Sequence, residues 1–279
     1  MFSRDWVRRI REFEKYFNGF DKKLRLLRPF IIGVYKIFME NNLDQQIKAY
    51  EVQSLYEFDN KIMLDWYSNR VVELTKGAKS ILELGVGHGY TTNVFSKHFS
   101  RHVVLDGSPA VIKRFKKIFP DCNAQIIETY FEKFITNEKF DVIVLGFILE
   151  HVEDPARILS NYRNNLAPNG KIFVSVPNAQ ALNRRLGNLA GILPDLYELS
   201  ENDNLLGHRR CYTVDTLRKE VESVGYEVER LEGIYLKPFT TKQIMSLDLD
   251  KKIIDALCTM GIEYPELSCG ILAQLRVRT

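Results

Sequence analysis

The feature that most constrains the fold is a short apolar run that ends in three closely spaced glycines. The segment from Ile81 to Tyr90 reads ILELGVGHGY, with glycines at Gly85, Gly87 and Gly89. Glycines let a chain turn sharply and let a ligand approach the backbone where a side chain would collide. A helix that begins after such a turn offers free N–H groups to an anionic end of that ligand. The segment therefore predicts a strand, a ligand-binding turn and a helix.

The residues around this turn distinguish between ligands. The spacing is GxGxG rather than the GxGxxG of dinucleotide-binding folds, because Tyr90 stands where a later glycine would be. Glu83, just before the turn, would repel a pyrophosphate but attract an ammonium group. Asp106 ends the next apolar run, VVLD, and is placed to accept both hydroxyls of a ribose. A helix cap or turn residue is the alternative interpretation of Asp106.

Short apolar runs alternate with helical segments from residue 79 onward. The predicted strands are Ser80–Leu84, Val103–Asp106, Ala124–Ile127, Asp141–Leu145, Lys171–Val176, Tyr226–Leu231 and Gly270–Val277. This alternation is typical of an α/β fold with a parallel sheet and helices on both faces. Strands this apolar are expected when both faces of the sheet are covered.

The chain outside this pattern is predicted to be mostly helical. Residues 1–78 contain no glycine cluster and form a helical N-terminal extension, whose basic residues either face solvent or dock an acidic partner or a membrane surface. Residues 79–279 form the ligand-binding domain, with insertions at about 178–207 and 237–265. The first insertion is a candidate lid, because long insertions in compact domains are often functional.

Composition narrows the class of protein. A formal net charge of +3 over 279 residues is too small to imply nucleic acid as a partner. The four cysteines include no CxxC pair, so neither a disulfide framework nor a zinc knuckle is expected, and reduced thiols fit a cytoplasmic location. No apolar run approaches the roughly 18–20 residues that span a bilayer, and the N-terminus lacks a signal-peptide core. The oligomeric state is left open.

Together these motifs resemble the class I S-adenosylmethionine (SAM)-dependent methyltransferases. The resemblance covers roughly residues 79–231 and rests on ILELGVGHG, VVLDGS, KFDVIVLGFILEHVEDP and LAPNGKIFVSVPN. At the Leu-Glu-His run the chain resembles the O-methyltransferases of ubiquinone biosynthesis. The resemblance implies a Rossmann-like sheet, mostly parallel with an antiparallel last strand. It also implies SAM as cofactor and methyl transfer as the reaction.

The resemblance further implies which residues hold SAM. The glycine turn and the preceding glutamate would frame the methionine end, the aspartate after the second strand would hold the ribose, and the next glycine would leave room for the adenosine. An aromatic pair after the third strand would line the adenine, where this chain departs from the family's common Gly-Asp. A Gly-Phe pair would lie under the sulfonium carbon. The implied cofactor-binding residues are Glu83, Gly85, Gly87, Gly89, Asp106, Gly107, Tyr130, Phe131, Gly146 and Phe147.

Polar residues near the carboxyl edge of the sheet are candidates for the acceptor side. His151 has a titration range suited to deprotonating a hydroxyl, although a packing role is equally compatible with the sequence. His208 is the second candidate catalytic residue. The adjacent arginines either bind an anionic acceptor or form a basic surface turn, and the tyrosines either wall the pocket or simply pack. The candidate acceptor-binding residues are Tyr56, Arg209, Arg210 and Tyr235.

No metal is predicted. Glu150, His151 and His208 do make an acceptable donor set for a divalent ion, and some methyltransferases that share the Glu-His run use one there. The additional acid that the RNA-modifying members carry is replaced by Phe147 here. Metal binding therefore stays the alternative.

The predicted function is SAM-dependent methylation of a polar and potentially anionic small molecule, such as a sugar or natural-product intermediate. Oxygen is favoured over nitrogen as the methylated atom. No Asn-Pro-Pro-Tyr-type motif follows the fourth strand, which counts against N-methylation of nucleic acid. One alternative is an RNA 2′-O-methyltransferase that uses the basic N-terminal helices as its platform, although nucleic acid is not the expected partner. The other is a catalytically inactive SAM-binding scaffold protein.

Overall fold

The computed structural model describes residues 42–45 and 55–278, with the side chains of Asn42 and Gln45 excepted. The chain divides into two compact units, Met1–Asn42 and Leu43–Thr279. The fold described below is that of the second unit. The helices predicted before residue 42 lie outside the described residues.

Helices and strands alternate along the second unit. The helices are α1 (Asn42–Gln45), α2 (Glu57–Leu74), α3 (Tyr90–Phe95), α4 (Pro109–Ile118), α5 (Pro155–Tyr162), α6 (Leu182–Leu189), α7 (Glu201–Leu206), α8 (Val214–Ser223), α9 (Thr241–Ser246) and α10 (Lys251–Gly261). The strands are β1 (Ser80–Leu84), β2 (Arg101–Asp106), β3 (Gln125–Glu128), β4 (Phe140–Gly146), β5 (Leu166–Pro177), β6 (Tyr226–Ile234) and β7 (Gly270–Val277). Both predicted insertions are helical, the first holding α6 and α7 and the second α9 and α10.

Within the described residues the strands form one sheet in the order β3-β2-β1-β4-β5-β7-β6. The pairs from β3 through β5 are parallel. The last strand, β7, pairs antiparallel with both β5 and β6. The predicted Rossmann-like class I sheet is thereby confirmed. The reversal of strand order beside β1 places the ends of β1 and β4 where ligands bind in open α/β sheets.

Side chains that alternate along the central strands build a core on each face of the sheet. Leu82 and Leu84 of β1 join a cluster covered by α5 and α8, whereas Ile81 joins a cluster on the opposite face. Helix α2 contributes Tyr67 and Val71 to this second cluster, both at most 2% exposed. Because α2 shares a core with β1, the compact unit begins well before residue 79, where the sequence placed the start of the domain.

Among residues 42–45 and 55–278, none of the helices combines the length and the apolar character needed to cross a bilayer.

Candidate functional site

The glycine turn joins β1 to α3. The backbone N–H of Gly85 donates to the carbonyl oxygen of Leu105 at 2.8 Å, which ties the turn to the end of β2. Gly89 precedes α3 with a φ of 87°, a left-handed conformation that glycine adopts without strain. A Cβ there would lie 2.5 Å from the ring of Phe115, so α4 packs directly on the turn. A Cβ on Gly87 would meet no described atom within 4 Å, so this part of the turn presents bare backbone to open space.

The carboxylate of Asp106 links the glycine turn to the start of α4. Its Oδ2 accepts from the N–H of Val86 at 2.9 Å, and its Oδ1 accepts from the N–H of Ser108 at 2.8 Å. Burial raises the pKa of Asp106, although these two N–H groups act in the opposite direction. Each carboxylate oxygen retains a further lone pair. Asp106 can therefore organise the turn and accept ribose hydroxyls together, and its ribose role stays a prediction.

Glu83 is engaged within the protein. Its Oε1 accepts from the hydroxyl of Thr91 at 2.5 Å, and its Oε2 lies 3.0 Å from Nε2 of His102. The residue is 1% exposed. The carboxylate of Glu83 still lies directly before the glycine turn. Because this side chain is buried and bonded within the protein, its contact with an ammonium group stays a prediction.

The first turn of α2 rests on the glycine turn. The hydroxyl of Tyr90 donates to Oε1 of Glu57 at 2.5 Å, and the other oxygen of Glu57 lies 3.4 Å from Nδ1 of His88. The amide of Asn60 lies 3.3 Å from Nε2 of the same histidine. Sequence reasoning missed Glu57 and Asn60, because these contacts join residues about 30 positions apart and leave no local signal.

The aromatic pair after β3 lies beside the same turn. The ring of Phe131 lies 3.9 Å from where a Cβ on Gly85 would be, and that of Tyr130 lies 3.5 Å from where a Cβ on Gly107 would be. The hydroxyl of Tyr162 donates to the carbonyl oxygen of Phe131 at 2.8 Å and so holds this loop to α5. The structure thus brings the predicted adenine wall next to the predicted methionine and ribose contacts.

Gly146, at the end of β4, lies under a side chain that the sequence did not single out. A Cβ on Gly146 would lie 2.1 Å from the hydroxyl oxygen of Tyr67. The ring of Tyr67 also packs edge-on against Phe147, with ring centroids 5.6 Å apart. Burial raises the pKa of Tyr67, and the carboxylates of Glu83 and Glu150 add to the shift. Tyr67 therefore lies close both to Gly146 and Phe147 and to the carboxylates of Glu83 and Glu150.

The two predicted catalytic histidines meet after β4. The rings of His151 and His208 are 4.7 Å apart and nearly perpendicular. The backbone N–H of Arg209 donates to the carbonyl oxygen of Glu150 at 2.8 Å, which anchors the first insertion beside these residues. Burial, together with the neighbouring His208, lowers the pKa of His151 to about 3.

Asp203 holds His208 in place. Nδ1 of His208 lies 3.0 Å from Oδ1 of Asp203. The other carboxylate oxygen accepts from the hydroxyl and the N–H of Ser200, at 2.6 and 2.8 Å. Burial alone would raise the pKa of Asp203, but the bonds from His208 and Ser200 outweigh it and hold the value at about 2. The Ser-x-x-Asp pattern at residues 200–203 is a helix-capping signal that could have directed attention to Asp203.

Glu150, His151 and His208 could also hold a metal ion. Their ligand atoms all lie within 4.8 Å of one another. The carboxylate of Glu150 is buried, neither oxygen has a hydrogen-bond partner among the described residues, and burial raises its pKa to about 7. A carboxylate that contacts the second nitrogen of a ligating histidine, as Asp203 does, is a common arrangement in metal sites. The donor set therefore fits a divalent transition metal, and the prediction of no metal stays a prediction.

The two predicted arginines differ in their surroundings. The guanidinium of Arg210 donates to the carbonyl oxygens of Leu149 and Glu153, at 2.9 and 3.0 Å. Arg209 is exposed. The guanidinium of Arg210 is thus hydrogen-bonded to the backbone after β4, while Arg209 is exposed and could contact an anionic ligand.

The two predicted tyrosines also differ. Tyr56 is 43% exposed, whereas Tyr235 is fully buried, and its hydroxyl has no hydrogen-bond partner among the described residues. Near Tyr235, Nζ of Lys237 donates to Oδ2 of Asp59 at 2.5 Å, and the hydroxyl of Thr241 donates to the same oxygen. Tyr235 therefore does not face an open pocket, and its contact with an acceptor stays a prediction.

Known proteins resemble this chain in sequence and fold. A ubiquinone biosynthesis O-methyltransferase of Aeromonas salmonicida is 23% identical over 198 residues, which is 68% of this chain and 80% of that protein. The protein of the same name from Xylella fastidiosa is 31% identical over 125 residues, 43% of this chain and about half, 49%, of its own length. The N-methyltransferase NodS of Bradyrhizobium japonicum, solved with S-adenosylhomocysteine (SAH), is alike in fold, with a TM-score of 0.55 and 15% identity over 86% of this chain and 100% of that one.

The sheet order, the glycine turn and the acid after β2 define a class I methyltransferase fold. The family model described as "Methyltransferase domain" matches residues 57–231, more than half of the chain. The chain belongs to this family and is a SAM-dependent methyltransferase, with SAM as its cofactor.

Proposed function

We propose that the protein transfers the methyl group of SAM to a hydroxyl oxygen of a polar small molecule. The observation that carries this proposal is the contact between the rings of His151 and His208, because His151 follows β4, the strand that ends at Gly146. A hydroxyl acceptor must lose a proton during methyl transfer, and a histidine placed near it can accept that proton.

His208 is the better placed of the two as the base. Asp203, with its pKa at about 2, is ionised near neutral pH and accepts a bond from Nδ1–H of His208. The lone pair of His208 is then on Nε2, which would accept the proton of the acceptor hydroxyl. His151, whose pKa burial lowers to about 3, stays neutral and supports the position of the His208 ring.

Bound SAM supplies an already activated methyl group, so the protein needs mainly to align the reactants and exclude water. The glycine turn and Asp106 would hold the cofactor. Tyr67, packed on Gly146 and Phe147, would shape the surface between the two reactants. The first insertion carries Asp203, which contacts His208 directly after it, so the insertion would help to complete the site.

The acceptor is proposed to be small, because both helical insertions follow strands, β5 and β6, that end at the carboxyl edge of the sheet. Arg209, exposed beside His208, would contact an anionic group of the acceptor. Oxygen is favoured over nitrogen because the relatives found in sequence are named O-methyltransferases.

A paired acceptor panel tests the proposal. Formation of SAH would be measured with 3,4-dihydroxybenzoate, its diamino counterpart, simple sugars and a short RNA. We expect methylation of the small hydroxyl compounds, dihydroxybenzoate or a sugar, and no methylation of the diamino counterpart. Preferential methylation of the amine would contradict the proposal. Turnover of RNA with a steep loss of affinity in salt would favour the RNA alternative.

A pair of histidine variants tests the base. His208→Asn should lower turnover about 10²–10⁴-fold, the usual contribution of a general base, while SAH affinity stays within about twofold. His151→Asn should have a smaller effect. Undiminished turnover in His208→Asn would remove this residue as the base, and failure of the wild type to bind SAH would support an inactive scaffold. Repeating the assay with a chelator and with added Zn²⁺ or Mn²⁺ tests the metal alternative.

A further inference from the structure

We propose that Leu43 and Asp44, which precede the residues matched by the family model, form a strap that closes the nucleoside side of the SAM site. In this arrangement Leu43 packs against the adenosine and Asp44 pins the strap to the protein. The inference rests on the proposed placement of the nucleoside between Asp106 and Tyr130.

Asp44 joins the strap to the start of α4. Its Oδ1 accepts from the hydroxyl of Ser108 at 2.6 Å and lies 3.3 Å from the N–H of Ala110. Ser108 is the residue that caps α4, where its side chain also accepts from the N–H of Val111. Ser108 also donates its N–H to Asp106, so the residue that holds the strap is bonded directly to the residue proposed to contact the ribose.

Leu43 lies directly on the glycine that follows Asp106. A Cβ on Gly107 would be 2.8 Å from Cδ1 of Leu43 and 3.5 Å from the ring of Tyr130. Tyr130 is 41% exposed, and Nζ of Lys133 lies over its ring, 4.9 Å from the centroid. Leu43 therefore packs directly on Gly107, with Tyr130 beside it, and the proposed nucleoside cleft lies between the side chains of Leu43 and Tyr130. A flat, apolar ring with a polar sugar attached is the shape and chemistry that suits such a cleft.

The charges around the cleft favour a ribose without phosphate. The carboxylate of Asp44 lies close enough to Asp106 to raise the pKa of that residue, in addition to the larger effect of burial. Two carboxylates at one place attract hydroxyl donors and repel a phosphate. SAM has a free ribose diol and no phosphate, which agrees with this pattern.

Equilibrium binding of SAH to the full-length protein tests the strap. Leu43→Ser should weaken SAH binding about tenfold, because it removes most of the apolar contact of one leucine side chain. Asp44→Ala should weaken binding severalfold, whereas Asp44→Asn should stay within about twofold, since its amide oxygen can still accept from Ser108. Leu247 is a half-exposed leucine between α9 and α10. Its change, Leu247→Ser, is the matched control, and this variant should bind SAH like the wild type.

Unchanged SAH affinity in Leu43→Ser would overturn the proposal. Tighter binding would overturn it too, because Leu43 would then compete with the nucleoside for the cleft. Equal affinities in Asp44→Ala and Asp44→Asn would remove the pinning role of Asp44. If Leu43→Ser fails to fold, as judged by thermal unfolding without ligand, Leu43→Ala takes its place. No acceptor is present in this assay, so its result is independent of whether a hydroxyl is the group methylated.

Discussion

Replacing Gly146 by alanine should produce a specific clash with Tyr67. The added Cβ would lie 2.1 Å from the hydroxyl oxygen of Tyr67 and 2.9 Å from the ring carbon that carries it. Tyr67 is 2% exposed and has no room to turn away, so β4 and α2 must separate. Overpacking of this kind costs about 1–3 kcal/mol, and we expect about 3 kcal/mol here because backbone has to move.

A double-mutant cycle measured by urea unfolding tests this reasoning. Tyr67→Phe alone should cost about 1 kcal/mol through loss of the hydroxyl's interaction with the side chain of Thr91. The Gly146→Ala, Tyr67→Phe double variant should be about 1–2 kcal/mol more stable than the sum of the single effects, because the closest clashing atom is gone. Gly187→Ala, within α6, is the control. A Cβ on Gly187 would lie 3.6 Å from its nearest neighbour, Cβ of Leu193, so this variant should be neutral or slightly stabilising. Additive effects, or a neutral Gly146→Ala, would refute the proposed contact.

Three further predictions follow from single residues. Asp106→Asn should lower SAH affinity at least tenfold by calorimetry, and an unchanged affinity would remove the ribose assignment. Asp141→Ala should lower the free energy of unfolding by about 1 kcal/mol at pH 7, and this loss should shrink as the pH falls. The N–H groups of Lys79 and Ser80 lower the pKa of Asp141, so its contribution is present above about pH 4 and is lost as the pH falls through the lowered value; a loss that keeps the same size on acidification would contradict this. Arg209→Ala and Arg210→Ala together should raise the KM of an anionic acceptor by tens of fold, but only the Arg210 change should also lower the melting temperature.

The sheet could be predicted well because its signals are local. The limits of β1 and β7 agree with prediction, and the other predicted strands differ from the observed ones mainly at their ends. Apolar runs of strand length, glycine turns and helix caps each depend on a few consecutive residues. The predicted boundary at residue 78 and the start of the second compact unit at Leu43 differ. The sequence of α2 indicates that the segment is helical, but it does not show that this helix packs on β1.

The candidate site was only partly predictable. The cofactor residues follow strand ends, and the carboxyl ends of parallel strands meet at one edge of a sheet. The structure adds that Glu83 is paired with Thr91 and His102, and that Tyr235 is buried. The sequence could not show whether a given polar side chain is open to a ligand or already bonded within the protein.

The sequence by itself determined the class of fold and the methyl donor, because the glycine turn and the acid after β2 each lie within a few residues of a strand. Only the tertiary structure decided which distant side chains complete the site. It placed Tyr67 on Gly146, Leu43 on Gly107 and the Asp203–His208 pair beside His151. Such contacts join positions tens of residues apart and depend on how helices pack across the sheet, for which the local order of residues carries no signal.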